Sequence, residues 1–281
     1  MIKKGILKNI LIVFGCILLS IILHAMTSEF STMLEGARMS SLVNTLGLPI
    51  TLILWYIIAF GGIAIIFCLI NQSISQYIFS GGLRYGFAIS ILWQWGMLEG
   101  VSTSNNAFIN ELITGFCDAL PILLMGCLLG VIRMRKEQNS LPKRRINTSN
   151  TIIIVVVFSV VFTSIRYISY VTNIIQSGYI QYPYFTAIWT IVMGMVIGIV
   201  YMLLGDKVNH TLKLEKILKF CIIVFGVNWF LFTMFMPFVF EGMLMESILR
   251  VMIDVLSIML SCFIIKYVDK LRQGKDKIAN A

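Results

Sequence analysis

"PITLILWYIIAFGGIAIIF", Pro49 to Phe67, carries no charged side chain across its whole length. A bilayer core about 30 Å thick takes roughly 20 apolar residues as helix, and this run, with its apolar neighbours, meets that requirement. It is also not alone. Seven further runs of the same kind stand on either side of it, so the sequence predicts spans near 6–26, 48–70, 83–102, 112–132, 151–171, 183–204, 217–238 and 247–267. Composition agrees: 58% of the 281 residues are hydrophobic and 12% charged, against about 25% charged in a typical soluble domain. A water-soluble fold of this length has too little polar surface for such a chain. The expected class is an all-α integral membrane protein.

The same Pro49 run decides the internal organisation. Shifted by 134 residues (49 to 183, 55 to 189), it overlays "PYFTAIWTIVMGMVIGIVY" without a gap, placing Pro49 on Pro183 and Trp55 on Trp189. Further along, a shift of 136 (93 to 229, 118 to 254) places Trp93 on Trp229 and Asp118 on Asp254, so that "FCDALPILLM" overlays "MIDVLSIMLS". Isoleucine matches are cheap in so apolar a chain. Two tryptophan pairs, a proline pair and an intramembrane aspartate pair are not. The predicted architecture is two four-helix halves, 1–138 and 146–281, joined by a basic linker at 139–145. An even number of spans gives both halves one orientation, hence a parallel repeat about a pseudo-two-fold along the membrane normal.

Charge sets the expected orientation. The net charge of +9 would point to nucleic acid in a soluble protein. Here, with the N-terminus inside, all of the 22 Lys and Arg except Arg38, Arg166 and Arg250 fall on or beside cytoplasmic segments. That is the positive-inside pattern, so both termini are expected in the cytoplasm and no nucleic-acid partner is implied. The first span has a basic start but no small-residue cleavage pattern after it, and reads as an anchor rather than a signal peptide. The densest basic stretch, "RMRKEQNSLPKRR", offers Arg133, Arg135, Lys136, Lys143, Arg144 and Arg145 to anionic lipid or a cytosolic partner, or serves only to orient the chain.

Four ionisable residues fall well inside the predicted spans away from the basic side, Asp118, Arg166, Arg250 and Asp254, with His24 and Glu99 at the outer ends of theirs. Each of the four costs about 2.5–3.5 kcal/mol at mid-bilayer on insertion scales. Asp118 is six residues into its span, roughly 9 Å at 1.5 Å per residue, and the other three share the outer third. Two acids and two bases balance. Arg250 and Asp254 stand at i, i+4 and are expected to pair on one helix face; Asp118 is then expected to pair with Arg166. His24 is a candidate for the first-half counterpart of Arg166. Trp93, Gln94, Asn228, Trp229 and Glu99 are candidates to line a polar cavity nearby. Such a cluster either binds a charged ligand or locks helices together.

Other chemistry is not signalled. The six cysteines form no CxxC, the two histidines are far apart along the chain, and no GxxxxGK[ST], HExxH or GxSxG occurs. No cofactor or metal site is expected, and an enzyme is the less favoured class; the residual enzymatic reading has Asp118 and Asp254 as acid and base on a lipid-linked substrate. Gly126-xxx-Gly130 and Gly194-xxx-Gly198 predict close helix packing. The Ile-rich composition suggests an AT-rich bacterial genome, and the chain reads as a bacterial inner-membrane protein. The expected function is a transporter or permease-like protein for a small charged or zwitterionic solute. The alternative is a non-enzymatic membrane partner: a sensor, an immunity protein or a permease subunit serving a separate ATPase.

Overall fold

Lipid offers the backbone no hydrogen-bond partner, so a chain this apolar must satisfy its amides within helices. The computed structural model, which describes the backbone of residues 2–30, 37–74, 78–132, 148–205 and 214–279, is helical throughout, and among the described residues the one strand-like feature is an isolated bridge between Met39 and Phe240. Seven helices among the described residues are long and apolar enough to cross a membrane. They are α1 (Ile2–Met26), α2 (Leu48–Ile74), α4 (Phe108–Ile132), α5 (Thr148–Val171), α6 (Pro183–Leu204), α7 (Leu214–Val239) and α8 (Met243–Ala279). The predicted third span is also a helix, α3 (Ile78–Met97).

Helix ends follow local chemistry. Pro49 and Pro183 both stand in a first turn, where the missing N–H costs nothing. Ser40 caps the short helix Ser41–Leu46 by accepting from the Val43 amide at 3.2 Å, and Gly47, at φ +82°, ends it. The span expected at 83–102 stops earlier, at Met97. The chain turns there through a Glu99 N–H to Gly96 C=O bond, and a separate short helix, Gly100–Thr103, follows. The span expected at 247–267 is longer, since α8 runs from Met243 to Ala279. In α7 a nine-residue π-helical stretch, Lys219–Val227, precedes ordinary helix, which breaks at Met234. Pro237 explains that break, because it has no N–H to give Thr233. Pro121 leaves α4 assigned as one helix. The basic 133–145 stretch lies outside the described residues.

Helices in lipid associate by van der Waals fit rather than by a hydrophobic drive. Small residues provide that fit. A Cβ added to Gly82 would stand 2.4 Å from the Gly126 carbonyl, and one on Gly126 only 2.5 Å from Gly86 Cα, so α3 and α4 touch backbone to backbone. Gly194 and Gly198 of α6 do the same against Ser159 and Val155 of α5. Both glycine pairs therefore act as predicted. α1 packs on α4, and α8 on α5; α3 meets α6, and α2 meets α7. Trp55, Trp93, Trp189 and Trp229 are buried along those last two contacts instead of sitting at the bilayer surface. Trp55 stacks on Trp93 at 5.8 Å between centroids, and Phe232 lies between Trp93 (5.2 Å) and Trp229 (4.9 Å).

Candidate functional site

The intramembrane charges form two separate clusters, and the pairing differs from that expected. Arg166 of α5 binds Asp254 of α8 by two parallel bonds, Nε to Oδ1 and Nη2 to Oδ2, both 2.6 Å. Both residues are 0% exposed. The Trp229 indole N–H donates to Oδ2 at 2.7 Å, and Arg166 Nη1 donates to Glu99 Oε1 (3.0 Å) and the Tyr170 hydroxyl (3.3 Å). The guanidinium lies near the Phe162 and Trp189 rings, 5.3 and 5.5 Å from their centroids. This is the bidentate geometry that makes Arg–carboxylate pairs strong, with ring contacts that favour a cation.

Arg250 does not pair with Asp254, its i+4 neighbour. It turns toward the helix start, to Glu246 Oε1 at 2.8 Å, to Glu99, and to the Gln176 carbonyl at 2.7 Å. Glu246 also accepts from the Gln176 amide at 2.9 Å. The reason is competition: Asp254 is already filled by Arg166 and Trp229, while Glu99 and Glu246 remain for Arg250. The expected balance of two acids and two bases is accordingly incomplete. The cluster holds Arg166 and Arg250 against Asp254, Glu99 and Glu246.

Asp118 of α4 does not meet Arg166. Its Oδ1 receives the Ser20 hydroxyl at 2.6 Å and the Tyr56 hydroxyl at 3.2 Å, and His24 Nε2 lies 3.2 Å away. Three groups from α1 and α2 thus converge on one carboxylate oxygen. α1 thus supplies His24 to Asp118 of α4, and α5 supplies Arg166 to Asp254 of α8. The environments differ in access. The His24 side chain is 31% exposed and Asp118 is nearly buried, whereas the Arg166–Asp254 pair is fully enclosed. Next to it, the Thr27 hydroxyl and Cys117 sulfur are 3.3 Å apart. Asp118 and Asp254 share no partner, which gives no support to a joint acid–base pair.

The aromatic and amide candidates make specific contacts at or near the join between α2, α3, α6 and α7. Gln94 donates to the Leu112 carbonyl at 3.1 Å. Asn228 donates to the Val224 carbonyl at 2.5 Å within the irregular part of α7, and Tyr85 donates to both Ile63 C=O (2.8 Å) and Asn228 (3.4 Å). The Trp93 indole N–H is buried and has no hydrogen-bond partner among the described residues. Sequence reasoning missed Ser20 and Tyr56. Ser20 had a signal, since it is four residues from His24 on one helix face; Tyr56 had little beyond being a hydroxyl within an apolar run. Among the described residues no group of His, Cys, Asp and Glu suits a metal ion.

Fold and clusters together define the class: a polytopic, all-α membrane protein with buried charge networks near one face. Comparison with protein-family models, curated proteins and solved structures finds no match to this chain.

Proposed function

We propose that the chain is a transporter or permease-like protein of a bacterial cell membrane, taking a small charged or zwitterionic solute at Asp118. The observation that carries this reading is the contrast between the two aspartates. Asp254 has a permanent cation and an indole N–H against it. Asp118 has two hydroxyls and an imidazole, a set that a cationic group of a solute can displace or join at modest cost, beside a partly exposed His24. A buried carboxylate without a fixed cation is expensive in lipid and is the usual mark of a pathway for solute or proton.

In this reading α3 is the eighth span, both termini are cytoplasmic, and the halves 1–138 and 146–281 are related by a pseudo-two-fold. Two hydrogen bonds support that symmetry. Trp55 Nε1 donates to the Leu231 C=O at 3.1 Å, and Trp189 Nε1 donates to the Trp95 C=O at 2.9 Å. Trp55 aligns with Trp189 and Trp95 with Leu231 at the repeat offsets (55 to 189, 95 to 231), so the two contacts exchange under the symmetry.

The test is uptake into proteoliposomes holding the purified chain, across a panel of radiolabelled amino acids, quaternary amines and small organic cations. At least one solute should enter, and Asp118→Asn should abolish its entry with protein levels unchanged. Absence of uptake across the panel, or normal uptake by the variant, removes the proposal.

The second reading is a membrane partner for a soluble protein such as an ATPase. It is favoured by the Arg166–Arg250 cluster, whose charges are met by protein groups and leave no demand for a solute. It requires that a cytosolic protein co-purify with the chain and be lost when Arg144 and Arg145 are both changed to Ala.

A further inference from the structure

Away from the charge clusters, α1 and α4 enclose an open groove of about 510 Å³, within the roughly 300–1,000 Å³ of small-molecule sites. Its walls are apolar: Leu11, Gly15 and Leu19 on α1, and Leu124, Leu128 and Ile132 on α4. Among the described residues the charged one lining it is Lys8, at the mouth. Lys8 and Ile132 mark the same end, because α1 begins there and α4 finishes there. From Lys8 to Leu19 the helix rises about 16 Å at 1.5 Å per residue, close to half of a bilayer core of about 30 Å. The groove is thus about as long as one leaflet is thick, with Lys8 at its end. Its floor is open at Gly15, where an added Cβ would meet nothing within 4 Å.

We propose that this groove is a binding site for an anionic glycerophospholipid, with an acyl chain along Gly15 and the headgroup phosphate at Lys8. Depth and lining select the chain; charge complementarity selects the headgroup. An apolar groove with no cation would hold any lipid, and a lysine with no groove would attract anionic lipid only diffusely. The site does not depend on transport.

Native mass spectrometry of the purified full chain, released from mixed micelles with equal phosphatidylglycerol and phosphatidylcholine, tests the assignment. The chain should retain phosphatidylglycerol in preference. Lys8→Gln should reduce that preference about five-fold, as expected for one basic residue near an anionic headgroup, and leave phosphatidylcholine adducts unchanged. Gly15→Phe should reduce adducts of both lipids by filling the groove, since its Cβ meets nothing within 4 Å and the ring has room to enter. Equal retention of the two lipids by the unmodified chain would overturn the site as one of ordinary surrounding lipid. Preference unchanged in Lys8→Gln, or adducts unchanged in Gly15→Phe, would overturn it too. So would a dimer dissociated by Gly15→Phe, which would make the groove an interface between copies.

Discussion

At Arg166 both the charge and the donors are used: two bonds to Asp254, one each to Glu99 and Tyr170, and aromatic rings near the guanidinium. Removing one partner strands a buried charge, which costs about 3–5 kcal/mol, whereas replacing both by apolar groups is often nearly neutral. Asp254→Ala should accordingly lose most of its folded protein on heating in detergent, measured by fluorescence-detected size exclusion. The pair Arg166→Met with Asp254→Leu should recover most of that loss. If the double variant is as unstable as the single one, the cluster does more than neutralise itself. Asp118→Asn belongs to a different case. The amide keeps an oxygen for Ser20 and Tyr56, so its melting temperature should stay close to that of the unmodified chain, and a large fall would mark Asp118 as structural.

Several helix contacts rest on glycines that leave no room for a Cβ. They join α3 to α4, through Gly82, Gly86 and Gly126, and α5 to α6, through Gly194 and Gly198. Gly126→Ala places a methyl 2.5 Å from Gly86 Cα, and overpacking of this sort costs about 1–3 kcal/mol. Gly61→Ala is the matched control, because nothing lies within 4 Å of its Cβ. The melting temperature should drop for the first and hold or rise for the second. A drop of equal size in both would mean that helix contact is not the cause. The irregular α7 is the other element with a specific tie. Its Val224 carbonyl takes the Asn228 side-chain amide, and such π-helical stretches recur at functional sites.

For the whole molecule, the proposed topology makes a direct prediction. Asn105→Cys and Ser177→Cys should react with an impermeant maleimide from outside intact cells, above the background of the native cysteines. Ser140→Cys should react only after the membrane is opened. Labelling of all three from one side would contradict an eight-span arrangement with paired halves. The cross-half tryptophan bonds offer a second check. Trp55→Phe and Trp189→Phe each lose one indole hydrogen bond, about 0.5–1.5 kcal/mol, and similar losses in melting temperature are expected if the two positions are equivalent.

Sequence alone determined the membrane class, because a run such as Pro49–Phe67 leaves the backbone no alternative to helix in lipid. It also picked out Asp118, Arg166, Arg250 and Asp254, since charge is costly and rare within such runs, but it paired Asp118 with Arg166 rather than with His24. The partners of those charges were decided only by tertiary structure. Spacing along α8 argued for Arg250 with Asp254, yet Arg250 has Glu246 one turn in the other direction and Glu99 from the turn after α3, and Arg166 arrives on Asp254 with better geometry. Ser20 and Tyr56 likewise gain their place only when α1 and α2 close on α4. Local pattern records which side chains are expensive to bury. Which groups meet them depends on helix rotation and crossing, set by packing across all the helices at once.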